Sequence, residues 1–420
     1  MQPLKITIPG QYWDSQIYRG RLYLFERDGG LVTLDWDGLI DDIDVAPSEA
    51  LALRCAFANS DFLYDPRIEQ ILSDIELRPI MRSKFERIAQ RAIEIGRAQF
   101  EKRILKRQTN PFPFPHADCM IYWHRMYIAG PSGIWSATCT KKTVNPVSSR
   151  PKRSWDASVV ALAALYGTLA CAAGDDGLYE FGIRESREPE RVSQRNCIDC
   201  QWTYQSIYGS SHIAHGFLAE YARIKVDEFT FTRSFERLID DAEIFQDVGY
   251  SWGTQDKLCQ AVQGRVHIVK YKPSSAEPEE RLLRLQTIML DTWKGEVVSG
   301  KLAVFGAIIE CEAAIVVALS DETTVTLHGE PINWRVFPKS HQYANHLHAI
   351  YDDHLLIASF NQDYFTDQES KRFGITHYRP TAGWSGQYRQ PEPQASTPDR
   401  NLGSASPPTE PTDITDLDLF

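Results

Sequence analysis

Four residues near the middle of this 420-residue chain have types that could hold a metal. Cys197 and Cys200 are followed by His212 and His215, giving Cys-x2-Cys-x11-His-x2-His. Zinc takes four thiolate or imidazole ligands in a tetrahedron, so the types suit it. The spacing departs from the finger pattern, in which a helix carries the two histidines at a longer interval. The hydrophobic pattern also puts His212 and His215 in a strand hairpin, where residues three apart point to opposite faces. The four are therefore read as packed thiols and imidazoles, and no metal or cofactor is expected. A second group, His341, His346, His348 and His354, precedes the last strand-like run. His346 and His348, two apart on a strand, would share a face beside Asp352 or Asp353. That pair could serve a hydrolase or a metal, or could equally be a loop and strand end in water.

Other chemistry is not signalled. No phosphate-cradling Gly-Lys loop, Gly-x-Ser-x-Gly elbow or dinucleotide fingerprint occurs. No catalytic residue is nominated. Two binding candidates remain. One is the basic run within 79–108, from which Arg87, Arg91, Lys102 and Arg103 are candidates to meet an acidic partner. The other is the chain end, where Asp416, Leu417, Leu419 and Phe420 combine acids that steer with apolar side chains that fill pockets.

The elements that must position these residues come from a repeat. An apolar strand, a Gly/Asp turn and a second apolar strand recur seven times, as in Arg21–Leu24 then Gly29-Gly30-Leu31, and Met126–Ala129 then Gly133-Ile134. Further copies start at Leu169, His212, Leu258, Leu302 and Leu355. A period of ~40–45 residues is that of a four-stranded propeller blade, which must stack on others to bury its faces. The fold class expected is mainly β, a seven-bladed β-propeller (six to eight) with an α-helical insertion and a disordered C-terminal tail. Residues 1–46 hold a closing strand and the first blade, 47–108 the insertion between blades one and two, 109–380 the remaining blades, and 381–420 the tail. Leu4 to Ile8 is expected to close the ring against Phe373 to Tyr378, and 325–336 to form one extra hairpin.

These repeats resemble those of the WD-repeat propellers. Leu169–Phe181, with its Asp176-Gly177 turn, is similar to that family's central hairpin, and Leu31–Asp37 ends in Trp36-Asp37. The resemblance spans about 360 residues, from Trp13 to Tyr378 without the insertion. It implies a propeller and macromolecular partners, though Gly-His pairs are absent from the blades. The chain end is similar to the terminal peptides of bacterial replication and repair proteins that dock on the sliding clamp, with Asp416 where those carry Gln.

Composition narrows the class. Lys plus Arg number 45 against 56 Asp plus Glu, a net charge of −11, so nucleic acid is not expected as a direct partner. No apolar run reaches the ~18 residues of a membrane span, the first ten residues do not read as a signal peptide, and eight cysteines are expected as reduced thiols in the cytoplasm. The expected function is a non-catalytic interaction scaffold or target-recognition propeller in a multi-protein assembly. The alternatives are a propeller subunit of a bacterial ATPase-linked or clamp-docking system, and a propeller hydrolase or lyase working at the central channel.

Overall fold

A two-residue turn with positive φ at both central positions matches the right-handed twist of the strands it joins. The chain builds such turns at Arg19-Gly20 (φ 49° and 74°), Trp123-His124 (48° and 59°) and Tyr166-Gly167 (51° and 73°), while in the turns at Tyr204-Gln205 and Gln255-Asp256 only the first residue has positive φ (53° and 50°). Each turn joins the first and second strands of a blade. The structure, a computed structural model, describes residues 2–365 except 141–145, 184–187, 214, 226–230, 263, 274–279, 291–294, 320 and 322.

Seven antiparallel sheets result. Blade one comprises Tyr12–Tyr18, Arg21–Glu26, Gly30–Asp35 and Ile104–Thr109, and blade two Asp118–Tyr122, Arg125–Gly130, Gly133–Thr138 and Lys152–Trp155. Blade three is Ala161–Leu165, Thr168–Ala172, Leu178–Gly182 and Glu190–Ser193, and blade four Asp199–Thr203, Ser206–Ser210, Phe217–Lys225 and Phe231–Asp240. Blade five is Tyr250–Thr254, Lys257–Val262, Arg265–Tyr271 and Leu282–Met289, and blade six Val297–Ala303, Gly306–Cys311, Ala314–Leu319 and Thr324–His328. Blade seven takes Asn333–Val336, His346–Ile350 and His354–Ser359 from the C-terminal part and Leu4–Pro9 from the N-terminus. First strands of neighbouring blades touch around the ring and line its axis. Second strands are covered on both faces by adjacent blades, which is why Leu22–Phe25 and Ala307–Ile309 read as unbroken apolar runs.

The helical insertion leaves blade one after its third strand. Its helices are Trp36–Asp41, Ala50–Phe57, Pro66–Leu72, Leu77–Ala89 and Arg97–Lys102. The last carbonyls of a helix lack intrahelical partners. At the end of Ala50–Phe57 they are supplied by the end of blade seven and by the insertion itself: Asn361 Nδ2 donates to Cys55 O (2.5 Å), His346 Nε2 and Ser359 Oγ to Ala56 O (3.0 and 2.7 Å), and Trp36 Nε1 of the insertion's first helix to Phe57 O (2.6 Å). Phe85 and Ile88 turn inward from Leu77–Ala89, as their helical spacing requires, and are fully buried.

Four expectations need correction. The insertion lies within blade one, not between blades one and two, because Ile104–Thr109 pairs with Gly30–Asp35 as that blade's outer strand. Residues 79–108 are not one helical stretch: two helices flank a bridge in which Ile93–Glu94 runs parallel to Ile6 and Thr7, and the 104–108 end is strand. Leu4–Pro9 closes the ring on His354–Ser359, since blade seven already has three strands by Ser359; Phe373 to Tyr378 lie outside the described residues. Thr324–His328 and Asn333–Val336 belong to different blades and make no hairpin.

Candidate functional site

Asp118 and Asp199 open two of the strands that line the axis, and Asp14 is the third residue of another. Asp14, Asp118 and Asp199 are followed by Ser15, Cys119 and Cys200, and each carboxylate accepts the next residue's N–H, at 2.7, 2.8 and 2.9 Å. Such a local bond fixes the side chain as the strand begins. Arg335, from blade seven, then joins them. Its Nε and Nη2 donate to the two oxygens of Asp14 (2.5 Å each), and its Nη1 donates to Asp118 Oδ1 (2.8 Å). His116 Nε2 donates to Asp14 Oδ2 (2.9 Å), and Leu162 N to Asp118 Oδ2 (2.7 Å). One guanidinium thereby ties blade seven to blades one and two, and Leu162 adds blade three. Burial alone would raise the Asp14 carboxyl, but Arg335 and His116 outweigh it and hold it at about 2. Asp199 lacks such a partner, and burial raises it against the pull of Lys301.

Two cavities lie along the axis, and Asp118, Lys301 and Arg335 line both. The upper cavity, about 270 Å³, is lined by Asp118, Asp199, Glu310, His212, Tyr250 and Arg335. There Glu310 accepts from Ser299 Oγ (2.6 Å) and Trp334 Nε1 (2.7 Å). The lower cavity, about 170 Å³, is lined by Gln16, Tyr122, Gln201, Lys301, Arg335 and Lys339. Lys301 lies 5.8 Å from the Trp334 ring centre, and Lys339 Nζ reaches across the axis to Ala164 O of blade three (2.9 Å). A wider groove of about 890 Å³ lies between blades four, five and six, with His212, His215 and Glu312 on its walls. Asp14 and Asp118 serve inter-blade bonds through Arg335, and Glu310 bonds within blade six and to Trp334 of blade seven.

Lys339 carries a testable cost. Burial lowers its ammonium from 10.5 to about 8. The unfolded chain therefore holds a proton that the fold lacks between about pH 8 and 10.5, so stability rises with pH through that window and the full cost stands below it. Lys339→Met should raise stability at pH 7 by about 1–2 kcal/mol, with the gain fading towards pH 10.5. Urea denaturation at pH 7 and 10 measures it, and a loss of stability at pH 7 would refute it.

The structure disperses the sequence candidates. Cys197 and Cys200 are buried, whereas His212 and His215 lie in the exposed connection after Ser206–Ser210, not within a hairpin strand. His215 Nδ1 instead meets Asp241 (2.9 Å). Among the described residues no His, Cys, Asp and Glu group is arranged to hold a metal. His346 and His348 do share a side of their strand, with rings 5.9 Å apart, but both are fully buried. His346 caps the helix end already described, its imidazole lowered to about 4 by burial, and His348 Nδ1 is 3.0 Å from Ser15 Oγ. Asp352 lies at the surface with Arg27, and Asp353 with His354, so neither meets His346 or His348. Of the basic candidates, Arg87 and Arg91 flank buried Glu49 (3.2 and 2.9 Å), while Lys102 and Arg103 bind Asp42 (2.9 and 2.6 Å) and Arg103 also Asp35. Asp416, Leu417, Leu419 and Phe420 lie outside the described residues.

Sequence reasoning missed Arg335, His116, Lys339 and the three aspartates. A signal existed for the last: Asp-Ser/Cys recurs four residues before the end of a strand that runs into the two-residue turn, at Asp14, Asp118 and Asp199.

A seven-bladed β-propeller is the class these sheets define, and it is the fold that the WD-repeat resemblance implies. No family model and no curated protein matches the chain. Among solved structures it is similar to the Neurospora crassa Pan2 WD40 domain (9% identity, 84% of this chain and 90% of that one, TM-score 0.44). It is also similar to the WD40 β-propeller domain of Doa1 (8%, 61% and 94%, TM-score 0.33) and to the AfRom2 CNH domain (11%, 58% and 94%, TM-score 0.32). The propeller rests on the strand pairing rather than on these likenesses. Among the described residues no helix is long and apolar enough to cross a membrane.

Proposed function

We propose that this chain is a non-catalytic, protein-interaction propeller that works within a multi-protein assembly through its helical insertion. One observation carries the reading. Ile71, Ile75, Leu77 and Ile80 are 53, 86, 44 and 53% exposed, four large aliphatic side chains within ten residues at the corner between helices Pro66–Leu72 and Leu77–Ala89. Scattered exposed hydrophobics are ordinary, but a cluster of this kind marks a surface that another group covers. The axis favours the same reading, since Asp14 and Asp118 are tied to Arg335. All eight cysteines are free and buried, which supports a reducing compartment such as the cytoplasm.

The test is affinity capture from the native host with the parent chain and with Ile75→Asp/Ile80→Asp. Both positions are exposed, so the variant should fold, and it should lose at least about 90% of a stoichiometric partner, since two aliphatic anchors contribute more than the ~1.4 kcal/mol of a tenfold change. Equal capture by both proteins would remove the insertion from the binding surface.

A further inference from the structure

We propose that the end of this same chain, Asp413–Phe420, docks on the exposed aliphatic corner of the helical insertion. This rests on reading that corner as a docking surface, and it names the resident occupant that a partner would have to displace.

Three observations converge. The first is where the described chain stops. Tyr364 and Phe365 lie on the insertion: the Tyr364 ring packs edge-on against Tyr64 (5.3 Å), and Phe365 against Phe85 (5.5 Å). Arg78, next to exposed Leu77, lies over the Tyr364 ring (5.5 Å). The chain therefore leaves the propeller beside the aliphatic corner. The second is reach. Residues 366–412 put 47 positions of chain between Phe365 and the segment, whereas the 13-residue helix Leu77–Ala89 is only about 20 Å long. The tether can return to the corner at high effective concentration. The third is complementarity. Leu77–Ala89 carries Arg78, Arg82, Lys84 and Arg87, of which Arg82 pairs with Glu86 and Arg87 with Glu49, and the corner itself holds Asp74 and Glu76 beside its aliphatic residues. The chain end carries Asp413, Asp416 and Asp418 with no cation, alternating with Ile414, Leu417, Leu419 and Phe420. The apolar residues of the segment answer the aliphatic patch, with Arg78 and Lys84 beside it for the acids.

The consequence is regulatory. A partner that took the chain end would uncover Ile71 to Ile80, and one that took the corner would free the chain end. The two binding elements of the chain would then not be independent.

Cysteine trapping in the full chain tests this. Thr415→Cys places a thiol within the docking segment but off its apolar anchors, and Ser73→Cys places one at the exposed corner. Val248, 75% exposed on the connection into blade five, gives the collision control as Val248→Cys. Under mild oxidation the 73–415 disulfide should form within one chain at least about tenfold faster than the 248–415 disulfide. Leu417→Asp/Phe420→Asp should bring the two rates together. Equal rates without those changes overturn the proposal. So does a 73–415 disulfide found only between chains, which assigns the corner to a second copy. If Ile75→Asp/Ile80→Asp abolishes partner capture while the two rates are equal, the interaction reading stands and self-docking falls. If neither changes, both fall.

Discussion

Removal of residues 1–9 should leave a chain without a cooperative fold. Leu4, Ile6 and Ile8 are each fully buried, and six residues of that strand pair in register with His354–Ser359. Truncating one buried aliphatic side chain costs ~2–5 kcal/mol, so three together cost roughly 6–15. That equals most of the ~5–15 kcal/mol that holds an ordinary domain. The loss is compounded because the exposed edge of His354–Ser359 would invite pairing with other chains. The insertion is also affected: Ile93–Glu94 pairs only with this strand, and Ile95 N donates to Thr7 O (2.9 Å). Thermal unfolding followed by circular dichroism decides the matter. A cooperative transition within a few degrees of the parent would mean that the ring does not depend on this closure. Ile6→Asp, a single change, should lower the melting temperature in the same direction.

The propeller was legible because each blade repeats a local pattern. Arg21, Met126 and Leu169 mark second strands, and in each case the residues before them form a two-residue turn. The reading drifted where the apolar signal weakened. Ser206–Ser210 contains Gly209 and two serines, so the fourth copy was placed at His212, past the strand. Leu302 falls at the end of a first strand and Leu355 in a third strand, which accounts for the irregular last interval. Ile104 fell four residues after Phe100 and continued a helical period, although its own strand alternates. The site was less legible for a different reason. Arg335 meets Asp14 across 321 residues of sequence, and no local pattern encodes such a pairing. The basic residues of the insertion were visible as charges, but their internal partners Glu49 and Asp42 were not. Helical spacing found buried Phe85 and Ile88, whereas exposed Ile75 lies in a turn and Ile80 off that stripe, and period alone does not distinguish a core face from a docking face.

Arg335→Met should cost about 3–5 kcal/mol at neutral pH, the usual penalty for removing one partner of a buried ion pair. The change leaves the Asp14 and Asp118 carboxylates on the axis with no cation between them, and Asp14 is fully buried. The sign of the pH dependence follows. In the parent, Asp14 sits at about 2, below its unfolded value, so its contribution is present above about pH 4 and is lost as pH falls towards 2. In the variant, burial without Arg335 raises the carboxyls, so the folded state gains protons and stability as pH falls. Both trends narrow the gap between parent and variant in acid and widen it towards neutrality. Denaturant titrations at pH 4 and pH 7 read this directly, and a variant within about 1 kcal/mol of the parent at pH 7 would show that the guanidinium is not what joins the blades. The triple change Asp14→Asn/Asp118→Asn/Arg335→Met separates charge from shape. Removing all the buried charges together is often neutral, so the triple variant should recover much of the loss. Such recovery would identify the network as a register device for blades seven, one and two rather than a net source of stability.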